Sequence, residues 1–171
     1  MKQLIFVVET NSSTQSDDRY IMKLINHRYD LSKNDIRISF VHMGGKGNYN
    51  KNKTLNLINK YKKNNNGEST IFYCFDTDSI GSNQVRKKEF SEEKRFCINK
   101  GFLLIWFNLN IEHVLLGKII NANEKKIESI KFWNNSNALI PTKKLFCENS
   151  ELEGHSNFYF LLDVHLQRIN N

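Results

Sequence analysis

Apolar residues fall along this chain in short unbroken runs, and the stretches between them carry helical spacing. Four runs read as strands: Leu4 to Val8, Ile36 to Val41, Ile71 to Phe75 and Phe102 to Phe107. The first, third and fourth are continuous and β-prone, the pattern of strands buried on both faces. The second alternates Ile36, Ile38 and Phe40 with Arg37 and Ser39. Helical spacing predicts a helix from about Asp17 to Arg28, with Ile21, Leu24 and Ile25 on one face, and another from about Lys53 to Lys63, burying Leu55, Ile58 and Tyr61. A charged helix is expected over Asn83 to Ile98, with Val85, Phe90 and Phe96 as core contacts, and a short one from Ile111. This alternation predicts an α/β domain built on a mainly parallel sheet of about four to five strands flanked by helices.

The periodic signal fades from Lys118 to Glu153, a polar, Asn-rich stretch with the only proline, Pro141. The tail from Asn157 to Arg168 is apolar again and is expected to dock on the core as a helix or edge strand. With no internal repeat, residues 1–171 read as one domain, a size at which a substantial core can form. A content of 39% hydrophobic and 25% charged residues is that of a globular chain, not a disordered one. The net charge of +7 favours an anionic partner, of which nucleic acid is the commonest, although lysines are spread along the chain. Cys74, Cys97 and Cys147 have no C-x-x-C spacing, which supports neither a zinc knuckle nor a disulfide framework. The opening apolar run is too short for a signal peptide and no run approaches a membrane span, so a reducing cytoplasm is expected.

Candidate chemistry gathers where strands end. Asp76 and Asp78 close the third run, and residues two apart on an extended backbone point the same way. Ligands collect at the carboxyl ends of strands in open α/β sheets, and Mg²⁺ prefers oxygen donors, often one or two carboxylates. The competing reading is an ordinary polar turn. Glu9 follows the first strand, and Glu112 and His113 stand just beyond the fourth. The glycine-rich turn after Val41 carries Lys46 and is either a flexible connector or a phosphate contact. Arg86, Lys87 and Lys88 belong to the most basic element, which is either a solvated face or a nucleic-acid contact. Asp17 and Asp18 are assigned to a helix start, where negative charge complements the dipole.

Val7-Val8-Glu9 followed by Phe75-Asp76-Thr77-Asp78-Ser79-Ile80-Gly81 resembles the Toprim fold, which carries a Glu after its first strand and Asp-x-Asp after its third. Thr10 stands where that family usually has glycine. Gly81 and Arg86 also look like the small ribosomal-RNA maturase branch. A closer likeness is to the RloB family of bacterial defence loci, in which a segment Asn-Pro-x-Phe-Glu follows the next strand. Here Asn108-Leu109-Asn110-Ile111-Glu112 falls in register with it, with Leu109 in place of Pro and Ile111 in place of Phe. The resemblance covers about residues 1–117 and implies a nuclease of DNA or RNA in prokaryotic defence or nucleic-acid processing. It implies Mg²⁺ or Mn²⁺ on Asp76, Asp78 and Glu9, with Glu9, Glu112 and His113 in the chemistry and Lys46, Arg86, Lys87 and Lys88 on nucleic acid. His113 has a purely structural reading as well. The alternative implied role is a non-catalytic domain that binds nucleic acid or a protein encoded in the same operon.

Overall fold

In the computed structural model, residues 1–169 are described. Four strands, β1 (Lys2–Val8), β2 (Ile36–His42), β3 (Ser69–Asp76) and β4 (Leu103–Phe107), form one all-parallel sheet in the order β2-β1-β3-β4. The connections carry α1 (Ser16–Arg28), a single turn α2 (Leu31–Asn34), α3 (Asn52–Lys63) and α4 (Gln84–Lys100). The fold is α/β with helices on both faces of the sheet, as the alternation of elements implies. Beyond β4 come α5 (Ile111–Leu116), α6 (Lys125–Asn134) and α7 (Phe158–Leu162).

Strand periodicity of two sorts the core into two layers. Leu4, Phe6, Val8, Phe72, Cys74, Ile105 and Phe107 face α1, α5, α6 and α7. Ile5, Val7, Ile71, Tyr73, Phe75 and Trp106 face α3 and α4. Phe6 lies at the centre of the first layer, with ring centroids 5.7 Å from Phe40, 5.2 Å from Phe72 and 6.5 Å from Phe158. The apolar tail docks as a helix: Phe158, Tyr159 and Leu162 of α7 are fully buried, and Asp163 takes a bidentate pair of hydrogen bonds from Arg28 at 2.9 Å. The Asn-rich stretch hides α6, which packs on α1 through Phe132 against Tyr20. The last two residues of segment 118–171 lie outside the described residues.

Two details depart from the periodic reading. Val85 is 69% exposed, and the inward stripe of α4 is Arg86, Phe90, Glu93 and Cys97. A buried ion pair occupies two positions of that stripe, so apolar spacing alone locates the wrong face. β4 is an edge strand, and its free side is covered by the Asn157 side chain and by a backbone bridge between Phe107 and Ser156. Asn157 accepts from the Trp106 N–H at 3.0 Å and donates to the Leu104 carbonyl at 2.9 Å. Just beyond it, the Asn108 N–H donates to the His155 carbonyl at 2.9 Å.

Emptying the centre of the first layer is the sharpest test of this packing. Phe6→Ala is expected to cost about 3–5 kcal/mol, the range for large-to-small changes in a filled core. Chemical denaturation monitored by circular dichroism would read it, with a lower midpoint at unchanged slope as the expected result.

Candidate functional site

Parallel pairing places the ends of β1 and β3 side by side, so Glu9 and Asp76 are neighbours. The Asp76 backbone N–H donates to Glu9 Oε1 at 2.9 Å, and Asp76 Oδ1 accepts from the Ile111 N–H at 3.2 Å. Asp17, in the first turn of α1, accepts from the Thr10 N–H at 3.3 Å. Glu9, Asp17 and Asp76 line a cavity of about 10 Å³ with Ile21, Cys74, Phe107 and Ile111, room for one water-sized particle. Glu112, fully buried on α5, completes the acidic group. Asn110 caps this short helix by accepting from the His113 N–H at 2.8 Å. These carboxylates thus come from four separate segments and meet at the carboxyl end of the sheet.

Crowding and burial shift their protonation. Burial pushes the Glu9 carboxyl up to about 7, against the pull of Lys46 and the Asp76 N–H. Burial and the nearby Glu112 raise Asp17 to about 6. Asp76 is raised well above the carboxylate range by burial, then by Glu9, Asp17 and Glu112. Two lysines bracket the group. Lys125 of α6 donates to Glu112 Oε2 at 3.2 Å; burial opposes its charge, but Glu112 and Asp76 outweigh that and raise its pKa. Lys46 donates to the Asp76 carbonyl at 2.6 Å, lies 3.5 Å from Glu9 Oε1 and pairs with Asp78.

The expected pairing of Asp76 with Asp78 is not what the backbone builds. Asp78 and Ser79 have φ of +48° and +56°, so the chain leaves the strand in two left-handed steps. The Asp78 side chain is 57% exposed and turned to Lys46, while that of Asp76 points inward. Leu109 has φ of +41°, a value closed to proline, and its carbonyl accepts from the Asp78 N–H at 3.0 Å. His113 points away from Glu112: its Nε2 is 3.7 Å from Glu153, and its Nδ1 is buried with no hydrogen-bond partner.

The expected nucleic-acid contacts separate in the same way. Arg86 is 6% exposed, donates to both oxygens of Glu93 at 3.0 and 2.8 Å and to the Asp76 carbonyl at 3.1 Å. Lys87 pairs with Glu151 at 2.5 Å, while Lys88 is exposed. Lys46 is a member of the acidic site. The sequence reading missed Asp17 and Lys125 as site residues, and treated Asp17 only as the helix-start acid that it also is.

Divalent-cation chemistry fits these donors in kind. Carboxylate oxygens suit Mg²⁺ or Mn²⁺, and Glu112 Oε1 and the Thr10 and Thr77 hydroxyls are buried without partners. Among the described residues, however, no three His, Cys, Asp or Glu side chains are placed to hold one ion together. Each of Glu9, Asp17 and Asp76 already spends an oxygen on a backbone N–H.

Raised carboxyl pKa values make stability fall with pH. The folded protein binds protons that the unfolded chain has released, so this contribution is full below about pH 4 and is lost as pH rises through about 7. Glu9→Gln removes one such group. Its stability is therefore expected to exceed the wild type's at pH 8 by about 3 kcal/mol, read as a higher melting temperature, and the margin is expected to vanish toward pH 4. Arg86→Met leaves Glu93, 2% exposed, without its partner, and is expected to cost about 3–5 kcal/mol in thermal or chemical unfolding.

Among the described residues, no helix is long and apolar enough to cross a membrane. Comparison of the chain with protein-family models, with curated proteins and with solved structures found no match, so the site is characterised by its own geometry alone.

Proposed function

We propose that this chain is a Toprim-like, RloB-like domain that hydrolyses phosphodiester bonds of DNA or RNA with the help of Mg²⁺ or Mn²⁺. The observation that carries the reading is the convergence of Glu9, Asp17, Asp76 and Glu112 at the carboxyl end of a parallel sheet, with two of them poised to titrate near neutral pH. Folding gains nothing from such crowding of like charges, and groups with displaced pKa values cluster at functional sites.

In this reading Glu9, Asp76 and Asp78 would hold the cation, with the Lys46 ammonium that Glu9 and Asp78 share giving way to it. A bound divalent ion supplies charge stabilisation to the phosphoryl oxygens and a more acidic water. Glu9 would either complete the cation's shell or, standing free of it, accept the proton of the attacking water. Asp76 is held against Ile111, and its carbonyl is fixed by Arg86 and Lys46. Glu112, paired with Lys125, forms the inner wall. His113 faces Glu153, the geometry of its structural reading. The resemblance supports a role in prokaryotic defence or nucleic-acid processing, and the unpaired cysteine pattern supports the cytoplasm as its place.

One observation favours a second reading, a non-catalytic domain that binds nucleic acid or a protein partner. Lys46 already compensates Glu9 and Asp78 from within the chain. A single assay separates the two. Wild type, Glu9→Gln and Asp76→Asn are incubated with single- and double-stranded DNA and RNA in Mn²⁺ and in EDTA. Hydrolysis is expected in Mn²⁺ only, at least about a hundredfold slower in Glu9→Gln. Cleavage by Glu9→Gln at the wild-type rate removes the proposed base, and a wild type that cuts none of these substrates selects the non-catalytic reading.

A further inference from the structure

The positive charge of this protein is not spread evenly. From residue 36 to residue 67 the chain contains no Asp or Glu, yet it carries Arg37 and six lysines. Those seven cations equal the whole net charge of +7, and the rest of the chain is balanced. Four of the lysines sit on α3, whose sequence NKTLNLINKYKK has no acidic residue.

Helical geometry then sorts this helix into two faces. Thr54 and Ile58 are buried and Leu55 and Tyr61 half-buried, against the sheet. The outward face presents Lys53, Asn56, Asn59, Lys60 and Lys63, all exposed and spaced three or four apart. A groove of about 410 Å³ runs between Asn56, Asn59, Lys60, Lys63 and Asn64. No ion-pair partner meets Lys53, Lys60 or Lys63 among the described residues. Charged helices elsewhere differ, since α4 carries acids and pairs its Arg86 and Lys87 internally.

Position links this face to the acidic site. The loop from β2 into α3 donates the Gly45 N–H to the Glu9 carbonyl at 2.8 Å and carries Lys46 to Asp76. The N-terminus of α3 therefore stands at the rim of the site, and the stripe runs away from it for about 15 Å.

We infer that the outer face of α3 is a docking track for a nucleic-acid backbone, leading one strand to or from the carboxylate site. Lysines contact phosphates as point charges, and asparagine amides donate to and accept from sugars and base edges. At about 3.4 Å per nucleotide the stripe spans about four nucleotides. An anionic membrane is the less suitable partner, because no large apolar side chain is exposed on α3 to enter a bilayer. The inference rests on the nucleic-acid reading above but not on hydrolysis.

Binding without turnover tests it. The full chain is titrated, in EDTA, against fluorescein-labelled 20-mers of single-stranded DNA, single-stranded RNA and duplex DNA between 50 and 200 mM salt. The variant K53Q/K60Q/K63Q is compared with a control on α4, K94Q/R95Q/K100Q, and both are checked for unchanged melting. The α3 variant is expected to lose at least about tenfold in affinity and to show a log–log salt slope shallower by about 2, with the control near wild type. Equal losses in both variants, or wild-type binding by the α3 variant, overturn the track. So does lysine-dependent binding to phosphatidylserine vesicles by a protein that binds none of the oligonucleotides. A protein that binds through α3 but cuts nothing in Mn²⁺ defeats the hydrolytic reading and leaves the track standing. One that cuts, yet binds equally well without these lysines, defeats the track alone.

Discussion

The parallel register between β1 and β3 is the constraint on which the site depends. It sets Phe6 opposite Phe72 and Val7 opposite Tyr73, and so brings the residues that follow each strand to the same edge. There the Asp76 N–H, with no further strand partner, is satisfied by the Glu9 carboxylate. A backbone donor is thus tied to a side chain that would otherwise prefer water. The apolar wall of Cys74, Phe107 and Ile111 then withholds that water, which is why burial is the largest cause of the raised carboxyl pKa values.

Such a cluster persists only if charge is supplied from elsewhere, because uncompensated ions in a protein interior cost several kcal/mol each. The two compensating ammonium groups come from the irregular parts of the chain. Lys46 arrives on the loop after β2, and Lys125 on a helix held in place by the contact of Phe132 with Tyr20. The segment beyond residue 117, outside the family resemblance, is therefore part of the site's electrostatics. The core of the sheet and the chemistry of its edge are stabilised by different regions of sequence.

That division explains what could be read beforehand. Continuous apolar runs identify β1, β3 and β4 because strands covered on both faces need no polar positions, and the topology then implies that Glu9 and Asp76 meet. The orientation of Asp78 was not legible, since two consecutive left-handed residues at Asp78 and Ser79 reverse the alternation that an extended backbone would give. Arg86 and Val85 were misplaced because a buried ion pair mimics a solvated face in any hydrophobicity pattern. Asp17 looks like any first-turn acid, and its second role depends on a loop bringing Thr10 to it. Lys125 offers no local signal, because its partner Glu112 belongs to a different element.

The amide of Asn157 has a consequence for how this protein behaves among copies of itself. By accepting from Trp106 and donating to Leu104, it imitates one residue of a neighbouring strand and then offers nothing onward. An open strand edge is a template for unwanted pairing and, in the extreme, for fibrils. Here one planar side chain, with the backbone bridge from Phe107 to Ser156 just beyond it, occupies the ladder of β4, so this edge of the sheet is capped by the chain's own C-terminal segment.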